Sequence, residues 1–321
     1  MTLRLAERWL WDFWFAVAGD AVHLFYLQAP RSLGNPDLRH RRATIGHAVS
    51  NDLHDWTVLP DALTPGEPGA FDDIATWTGS VVEHDGTWHL LYTGIGRREQ
   101  GRVQRIGHAT SSDLMDWQRQ ESGQCVEADD RWYEKLGDGW REECWRDPWV
   151  FWDGASGCFH MLITARARTG PLDGRGVIGH AWSEDLARWE VGPPVSEPGD
   201  FCHLEVPQLV EVGGHWYVLF SVQHHDFSAI RLQRDGAGAM GGVRYLGGPA
   251  PLGPYGADGD TVLIADPVGR HYAGRVLELG DRRYFFAWLR FDTESSFIGA
   301  LSDPMPLSVT DDGLLAVDVA T

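Results

Sequence analysis

The sequence predicts an all-β fold, and three observations carry that expectation. Short runs of aromatic and β-branched residues recur along the chain, bounded by Gly-Asp, Asp-Gly or Gly-Gly pairs whose residues tolerate positive φ and close hairpins. The segment I-G-H-A-V-S-N-D-L-H-D-W, from Ile45 to Trp56, returns from Ile106 to Trp117 and from Ile178 to Trp189. Its Ile, Gly, His, Ala, Ser, Asp, Leu and Trp are common to all three copies. No amphipathic stretch with the helical period of 3.6 competes with these strands.

Each copy reads as a strand, a tight turn built on Ser and Asp, and a Trp that packs back on the sheet. Upstream of the copies lie the strands His23 to Leu27, Trp88 to Thr93 and Phe159 to Thr164, and the same strand recurs as Trp216 to Ser221 and Tyr284 to Leu289. Each of these five follows a shorter apolar strand and a turn, the apolar strands being Trp14 to Val17, Ser80 to Val82, Trp149 to Trp152, Gln208 to Val212 and Arg275 to Leu279. Five antiparallel sheets of this kind cannot cover both their faces alone, and radial stacking covers them while leaving only short edges. The expectation is therefore one domain, a five-bladed β-propeller, with blades at about 9–65, 72–130, 140–200, 201–258 and 262–319. The segment Leu314 to Val319 completes the fifth blade or closes the ring.

Composition agrees with a globular chain and narrows its partners. Of 321 residues, 43% are hydrophobic and 23% charged, enough apolar surface for a sizeable core. A formal charge of -19 repels phosphate backbones and anionic membranes, so neither nucleic acid nor a membrane is expected as partner. No run of about 20 apolar residues spans a bilayer. Trp9 to Gly19 imitates a signal peptide, but Asp12 in its middle argues against export, and a cytoplasmic location is expected. The four cysteines form no C-x-x-C pair and read as mostly buried thiols; no metal and no cofactor is expected.

In a propeller the innermost strands converge on one central funnel, so their starts can be searched directly for a site. They read W-L-W-D-F-W from Trp9, W-T-G-S from Trp77, W-R-D-P from Trp145, L-E-V-P from Leu204 and Y-A-G from Tyr272. Three of them place a carboxylate (Asp12, Asp147, Glu205) at equivalent positions among aromatics, and Pro148 and Pro207 restrict the backbone nearby. Paired carboxylates flanking a scissile bond serve glycoside cleavage, and indole faces suit the C–H faces of a sugar ring. A small carbohydrate is the expected partner.

These residues carry a resemblance to glycoside hydrolase family 32, the invertase, inulinase and levanase family, and through it to the five-bladed enzymes of family 43. H-L-F-Y-x-x-x-P and G-H-A-V-S-x-D-L-x-x-W-x-x-L-P-x-A-L, within His23 to Leu63, resemble the family's first blade. Trp77-Thr78-Gly79-Ser80 resembles F-S-G-S, Arg146-Asp147-Pro148 matches R-D-P, and Glu205-Val206-Pro207 resembles E-C-P. The resemblance implies that Asp12 attacks the anomeric carbon with retention, Glu205 protonates the leaving oxygen, and Asp147 with Arg146 grips ring hydroxyls. It implies sugar contacts from Trp77, Ser80 and Tyr272, and the activity of a β-fructofuranosidase or related furanosidase; Trp11, Trp14 and Gln28, and His203 on the strand face of Glu205, are expected as further sugar contacts.

The chain also departs from the family. The opening W-M-N-D-P-N-G is here W-L-W-D-F-W-F, Leu27 stands where the family has glutamine, with Gln28 beside it, and a propeller without the family's C-terminal β-sandwich is expected. Aromatics at Trp9, Trp11, Phe13, Trp14 and Trp77 imply a narrow, apolar subsite that cleaves sucrose poorly. Glu205 is expected to be protonated by virtue of burial and of Asp12, while Arg146 keeps Asp147 ionised. Two other readings keep the fold: an inverting arabinofuranosidase or xylosidase of the family 43 type, and a sugar-binding propeller without catalysis. His224-His225-Asp226 also sits close enough to reach the funnel, although adjacent histidines in an extended chain point apart.

Overall fold

The computed structural model describes residues 3–120, 125–256, 259–292 and 294–319. Among them, five antiparallel sheets are arranged as the blades of a propeller, each running from the axis outward. Blade 1 holds β1 (Arg8–Ala18), β2 (Ala21–Pro30), β3 (Thr44–Ser50) and β4 (Thr57–Leu63). Blade 2 holds β5 (Ala75–His84), β6 (Thr87–Ile95), β7 (Gln104–Ser111) and β8 (Gln118–Arg119). In blade 3 come β9 (Trp145–Asp153), β10 (Cys158–Arg166), β11 (Gly176–Ser183) and β12 (Glu190–Gly192), and in blade 4 β13 (Glu205–Val212), β14 (His215–Val222), β15 (Gly242–Gly248) and β16 (Asp260–Ala265). Blade 5 comprises β17 (His271–Leu279), β18 (Arg282–Phe291), β19 (Phe297–Leu301), β20 (Met305–Val309) and β21 (Leu315–Val317). The last strand pairs with β20 at the outer edge, so the Leu314 segment completes the fifth blade. Ring closure falls instead to β1, which packs against β17, β18 and β19.

The repeated segment explains the regularity. In each of blades 1 to 3 its serine accepts the backbone N–H two residues on, Ser50 also the one three residues on, and its aspartate accepts two further N–H groups. Leu53, Leu114 and Leu186 then take positive φ (67°, 66° and 61°), and Trp117 and Trp189 donate their indole N–H to the carbonyls of Leu114 and Leu186. The repeated histidine meets the histidine of the preceding strand: His23 Nδ1 lies 2.9 Å from His47 Nε2, His89 Nδ1 2.9 Å from His108 Nε2, and His160 Nδ1 3.0 Å from His180 Nε2.

The cores lie between neighbouring sheets, where the aromatic strands were expected to stack. Leu91, Ile106, Trp145 and Met161 pack between blades 2 and 3, and Leu162, Val218 and Phe220 between blades 3 and 4. One departure from the all-strand expectation is a helix, α1 (Ala229–Asp235), whose first turn is capped by the Ser228 hydroxyl accepting from Arg231 N–H at 3.1 Å. Of the four thiols Cys144 and Cys202 are buried, whereas Cys125 and Cys158 are partly exposed. No helix among the described residues is long and apolar enough to cross a membrane.

Candidate active site

Every innermost strand carries a bulge at the point where it enters the funnel. The ladder skips between Trp11 and Phe13, between Trp77 and Gly79, opposite Leu162 to Thr164, between Glu205 and Gln208, and between Tyr272 and Arg275. A bulge inserts an unpaired residue, bends the strand and re-aims a side chain. Asp12, Asp147, Val206 and Ala273 occupy these insertions with φ of 20°, 58°, 55° and 48°. Gly79 and Gly274 follow the insertion in blades 2 and 5, where a Cβ would meet Leu91 O at 2.4 Å and the Phe285 ring at 2.6 Å. The three carboxylates therefore do not share one position, as the sequence suggested. Asp12 and Asp147 are inserted residues, whereas Glu205 precedes its insertion and stands opposite Ser221 as Arg146 stands opposite Thr164. The bulge conceals this offset, because it lengthens each strand without leaving a mark in the residue pattern.

Asp12, Asp147 and Glu205 nonetheless line one cavity of about 360 Å³, with Trp11, Trp77, Arg146, His203 and Tyr272. Asp12 Oδ2 accepts from the Thr78 hydroxyl at 3.0 Å. Asp147 is anchored across three blades: its N–H donates to Thr93 Oγ1 at 2.9 Å, and its Oδ2 accepts from Thr164 Oγ1 at 2.9 Å and Val206 N–H at 3.2 Å. Arg146 places Nη2 2.6 Å from Glu205 Oε1 and Nε 3.6 Å from Asp147 Oδ2, and Tyr272 donates its hydroxyl to Glu205 Oε2 at 2.5 Å.

The charge pattern reverses the one expected. Burial, then the charges of Asp147 and Glu205, push Asp12 up to about 7, against the opposing pull of Thr78 and Arg39. Burial likewise outweighs Arg146 at Asp147 and raises it. At Glu205 burial works upward too, but the Arg146 ion pair, with His203 and the Tyr272 hydroxyl, holds the carboxyl below its usual range. Arg146 thus favours the ionised form of Glu205 rather than that of Asp147, because its shortest contact is with the former.

Three expected sugar contacts do not reach the cavity. Trp14 is fully buried and stacks on Phe25 at 6.1 Å, Gln28 turns away and donates to Asp61 Oδ1 at 2.6 Å, and Ser80 accepts the Val150 N–H between blades at 3.0 Å. The period of 2 explains Gln28, whose neighbour takes the funnel side, whereas Trp14 and Ser80 lie past the bulges that carry Asp12 and Thr78. Leu27, beside Gln28, lines the cavity instead. Trp9 and Phe13 also belong to the core between blades, so the expectation of an apolar, narrow subsite fails with Trp14. The walls carry Arg39, His40, Thr78, Gln104 and Glu142, with Trp288 the further aromatic. Sequence reasoning missed Arg39, His40, Thr78, Gln104 and Trp288. Thr78 and Trp288 had a signal, being ladder neighbours of Trp77 and Tyr272; Arg39 and His40 sit on the β2–β3 loop, where no periodicity places a side chain.

His203 is buried between two thiols and a carboxylate, 3.4 Å from Cys144 Sγ, 3.5 Å from Cys202 Sγ and 3.5 Å from Asp226 Oδ1. Burial opposes its charge, and these neighbours outweigh burial and raise it well above the usual histidine range. The groups Glu142, Cys144, His203 and Cys202, His203, Asp226 are the described side-chain sets close enough to hold a cation, and Cys202 already donates to Asp226 at 3.1 Å. His225 lines the cavity mouth, whereas His224 packs on Phe227.

Comparison with known proteins adds to this geometry. Residues 15–308 match the family model described as Glycosyl hydrolases family 32 N-terminal domain, a match that includes Asp147 and Glu205 and begins beyond Asp12. An insoluble β-fructofuranosidase isoenzyme of Arabidopsis thaliana is 28% identical over 195 residues, 59% of this chain and 32% of the relative. Isoenzyme 6 of the insoluble β-fructofuranosidases of Oryza sativa subsp. japonica is 29% identical over 70% of this chain and 34% of its own length. The chain thus spans about a third of the length of these curated relatives. In fold it is similar to an inulosucrase from Halalkalicoccus jeotgali bound to kestose (TM-score 0.74, 21% identity, covering 98% of this chain and 87% of that one). It is also similar to a sucrose-6-phosphate hydrolase from Lactobacillus gasseri (TM-score 0.76, 19% identity, 98% and 62%).

Proposed function

The chain belongs to glycosyl hydrolase family 32, and on that premise we propose that it hydrolyses terminal β-fructofuranosides, or a closely related furanoside, with retention of configuration. The observation that carries the reading is the convergence of Asp12, Asp147 and Glu205, from three blades, on one cavity with Arg146 between them. In the proposed cycle an Asp12 carboxylate oxygen bonds to the anomeric carbon while the glycosidic C–O bond breaks and its oxygen takes the Glu205 proton. Water then attacks the glycosyl-enzyme, gives a proton back to Glu205 and releases Asp12. Asp147 and Arg146 hold ring hydroxyls and stabilise the charge that develops in between.

This cycle starts with Glu205 protonated and Asp12 ionised, the opposite of their preferences in the structure. Three carboxylates around one guanidinium share protons as a set, so the same total charge has several microstates. A sugar hydroxyl that draws Arg146 away removes the chief interaction keeping Glu205 low, and burial then raises it. The proton moves from Asp12 to Glu205 as substrate binds.

The raised Asp12 favours a second reading, an inverting enzyme with Asp12 as general base, since a base works best with a pKa near the operating pH. NMR of the first-formed sugar, before mutarotation, separates the two. Retained configuration is expected; an inverted first product transfers Asp12 to the role of base. Turnover within tenfold of the parent in both Asp12→Ala and Glu205→Ala overturns either mechanism.

A further inference from the structure

Blade 4 brings together three side chains that the proposed cycle does not use, at the funnel end of its first hairpin. Cys202 and His203 precede β13, and Asp226 follows β14. Backbone pairing fixes the two loops, with Phe201 bridged to Phe227 and Cys202 N–H donating to Asp226 O at 2.7 Å. The Gln223 N–H donates to Asp226 Oδ2 at 2.6 Å, while Oδ1 meets the other two side chains. Cys202 Sγ lies 3.1 Å from Asp226 Oδ1 and 3.5 Å from His203 Nδ1, and Nδ1 lies 3.5 Å from Oδ1. These three atoms form a closed triangle, and all three residues are buried. The C-x-x-C spacing that marks a metal site in sequence is absent because a whole hairpin separates Asp226 from Cys202 and His203.

The triangle has the dimensions of one face of a tetrahedral metal site. Bonds of about 2.0–2.2 Å to nitrogen and oxygen and about 2.3 Å to thiolate set the ligand atoms of Zn2+ about 3.4–3.6 Å apart. Both distances to Nδ1 already match. The third is shorter because Cys202 donates its thiol proton to Asp226, a bond that a cation would replace. One sulfur, one imidazole nitrogen and one carboxylate oxygen suit a borderline-soft ion of the zinc class, whereas Mg2+ and Ca2+ take oxygen ligands. On its far side His203 meets Cys144 Sγ, 3.4 Å from Nε2, an outer partner of the kind that orients metal-bound imidazoles. His203 and Asp226 line the cavity, so ions reach the triangle from the funnel. His225, exposed at the cavity mouth, holds Nε2 3.7 Å from Asp226 Oδ1, within reach as a further ligand.

We propose that Cys202, His203 and Asp226 form a site for one thiophilic divalent cation of the zinc class on the funnel wall. The site does not depend on the glycosidase reading. Binding exchanges the ion for the thiol proton of Cys202 and for the proton on His203, so ligation and proton release are one event. The test titrates the full chain, reduced and stripped of metal by a chelator, with Co2+ as a spectroscopic substitute for Zn2+. Stoichiometric binding is expected, with a thiolate-to-cobalt charge-transfer band and the visible bands of a tetrahedral ion. Zn2+ is expected to displace the Co2+, and excess Mg2+ or Ca2+ to leave it bound. Cys202→Ser should abolish the charge-transfer band. Cys144→Ser should keep the band and weaken binding by about tenfold, as loss of an outer partner does. Cys125→Ser/Cys158→Ser removes the two partly exposed thiols and should change neither band nor affinity. No cobalt uptake, a band that persists in Cys202→Ser, or a band lost with Cys125 and Cys158 overturns the proposal. Should Cys202→Ser not fold, calorimetric titration of Cys125→Ser/Cys158→Ser with Zn2+ in buffers of different ionisation enthalpy decides. Release of at least one proton per ion upholds the site, and binding without proton release, or no binding, overturns it.

Discussion

At the scale of single residues, Asp12 bears the largest conflict between stability and chemistry. Its carboxyl has a pKa of about 7 in the folded chain against 3.8 for the free side chain, so folding is favoured by its protonated form. The unfolded chain loses that proton above pH 4, and the folded chain only near pH 7. Its contribution is therefore fully present below about pH 4 and lost as pH rises through 7. Asp12→Asn removes the ionisable group, and the variant is expected to be more stable than the parent at pH 8 by on the order of 2–4 kcal/mol. Urea unfolding at pH 4, 6 and 8 should show the gain growing with pH and vanishing at pH 4. The same variant should lose turnover. Equal stability at pH 8 would show that Asp12 ionises in the folded chain without cost.

At the scale of the element, the histidine pairs make three blades sensitive to acid in the same way. A 2.9–3.0 Å contact between two ring nitrogens needs one N–H donor and one bare acceptor, so the bond is lost when both rings are protonated. Burial, followed by the partner ring, lowers His47, His108 and His180 to about 4. The unfolded chain takes up these protons below about pH 6.5, the folded chain only near pH 4. Stability from the pairs is present above pH 6.5 and falls between 6.5 and 4, by on the order of 2–4 kcal/mol per pH unit if all three act together. Melting temperatures measured across that window should drop steeply. His47→Gln, His108→Gln and His180→Gln combined should flatten the slope, and a slope unchanged by the triple variant would assign acid sensitivity to other groups.

At the scale of the whole molecule, Arg275 connects blades at the axis. From blade 5 it donates Nε to Phe13 O at 3.2 Å in blade 1, and Nη1 to Val206 O at 3.3 Å and Pro207 O at 2.6 Å in blade 4. Its guanidinium lies 5.1 Å from the Trp149 ring of blade 3. Those carbonyls belong to the bulges that present Asp12 and Glu205, so one buried side chain sets the relative position of two blades' functional ends. Arg275→Met leaves buried carbonyls without donors and is expected to cost about 2–4 kcal/mol and to lower kcat. Arg275→Lys should recover part of the stability. A melting temperature within a degree of the parent in Arg275→Met would show that packing alone holds the ring.

The sequence by itself determined the number of sheets, the strands that open the funnel and the three carboxylates that reach it. Those features are written in local currency: alternation along a strand, turn residues, and a repeated I-G-H-A segment. Family resemblance added roles to particular positions but could not say which way Trp14 and Ser80 face, because one inserted residue exchanges the two sides of a strand. The tertiary structure alone decided which carboxylate Arg146 pairs with and brought Cys202 and His203 against Asp226. Burial and charge act through space across blades, so residues distant in the chain set the protonation of Asp12 and Glu205, and no spacing in the sequence encodes those distances.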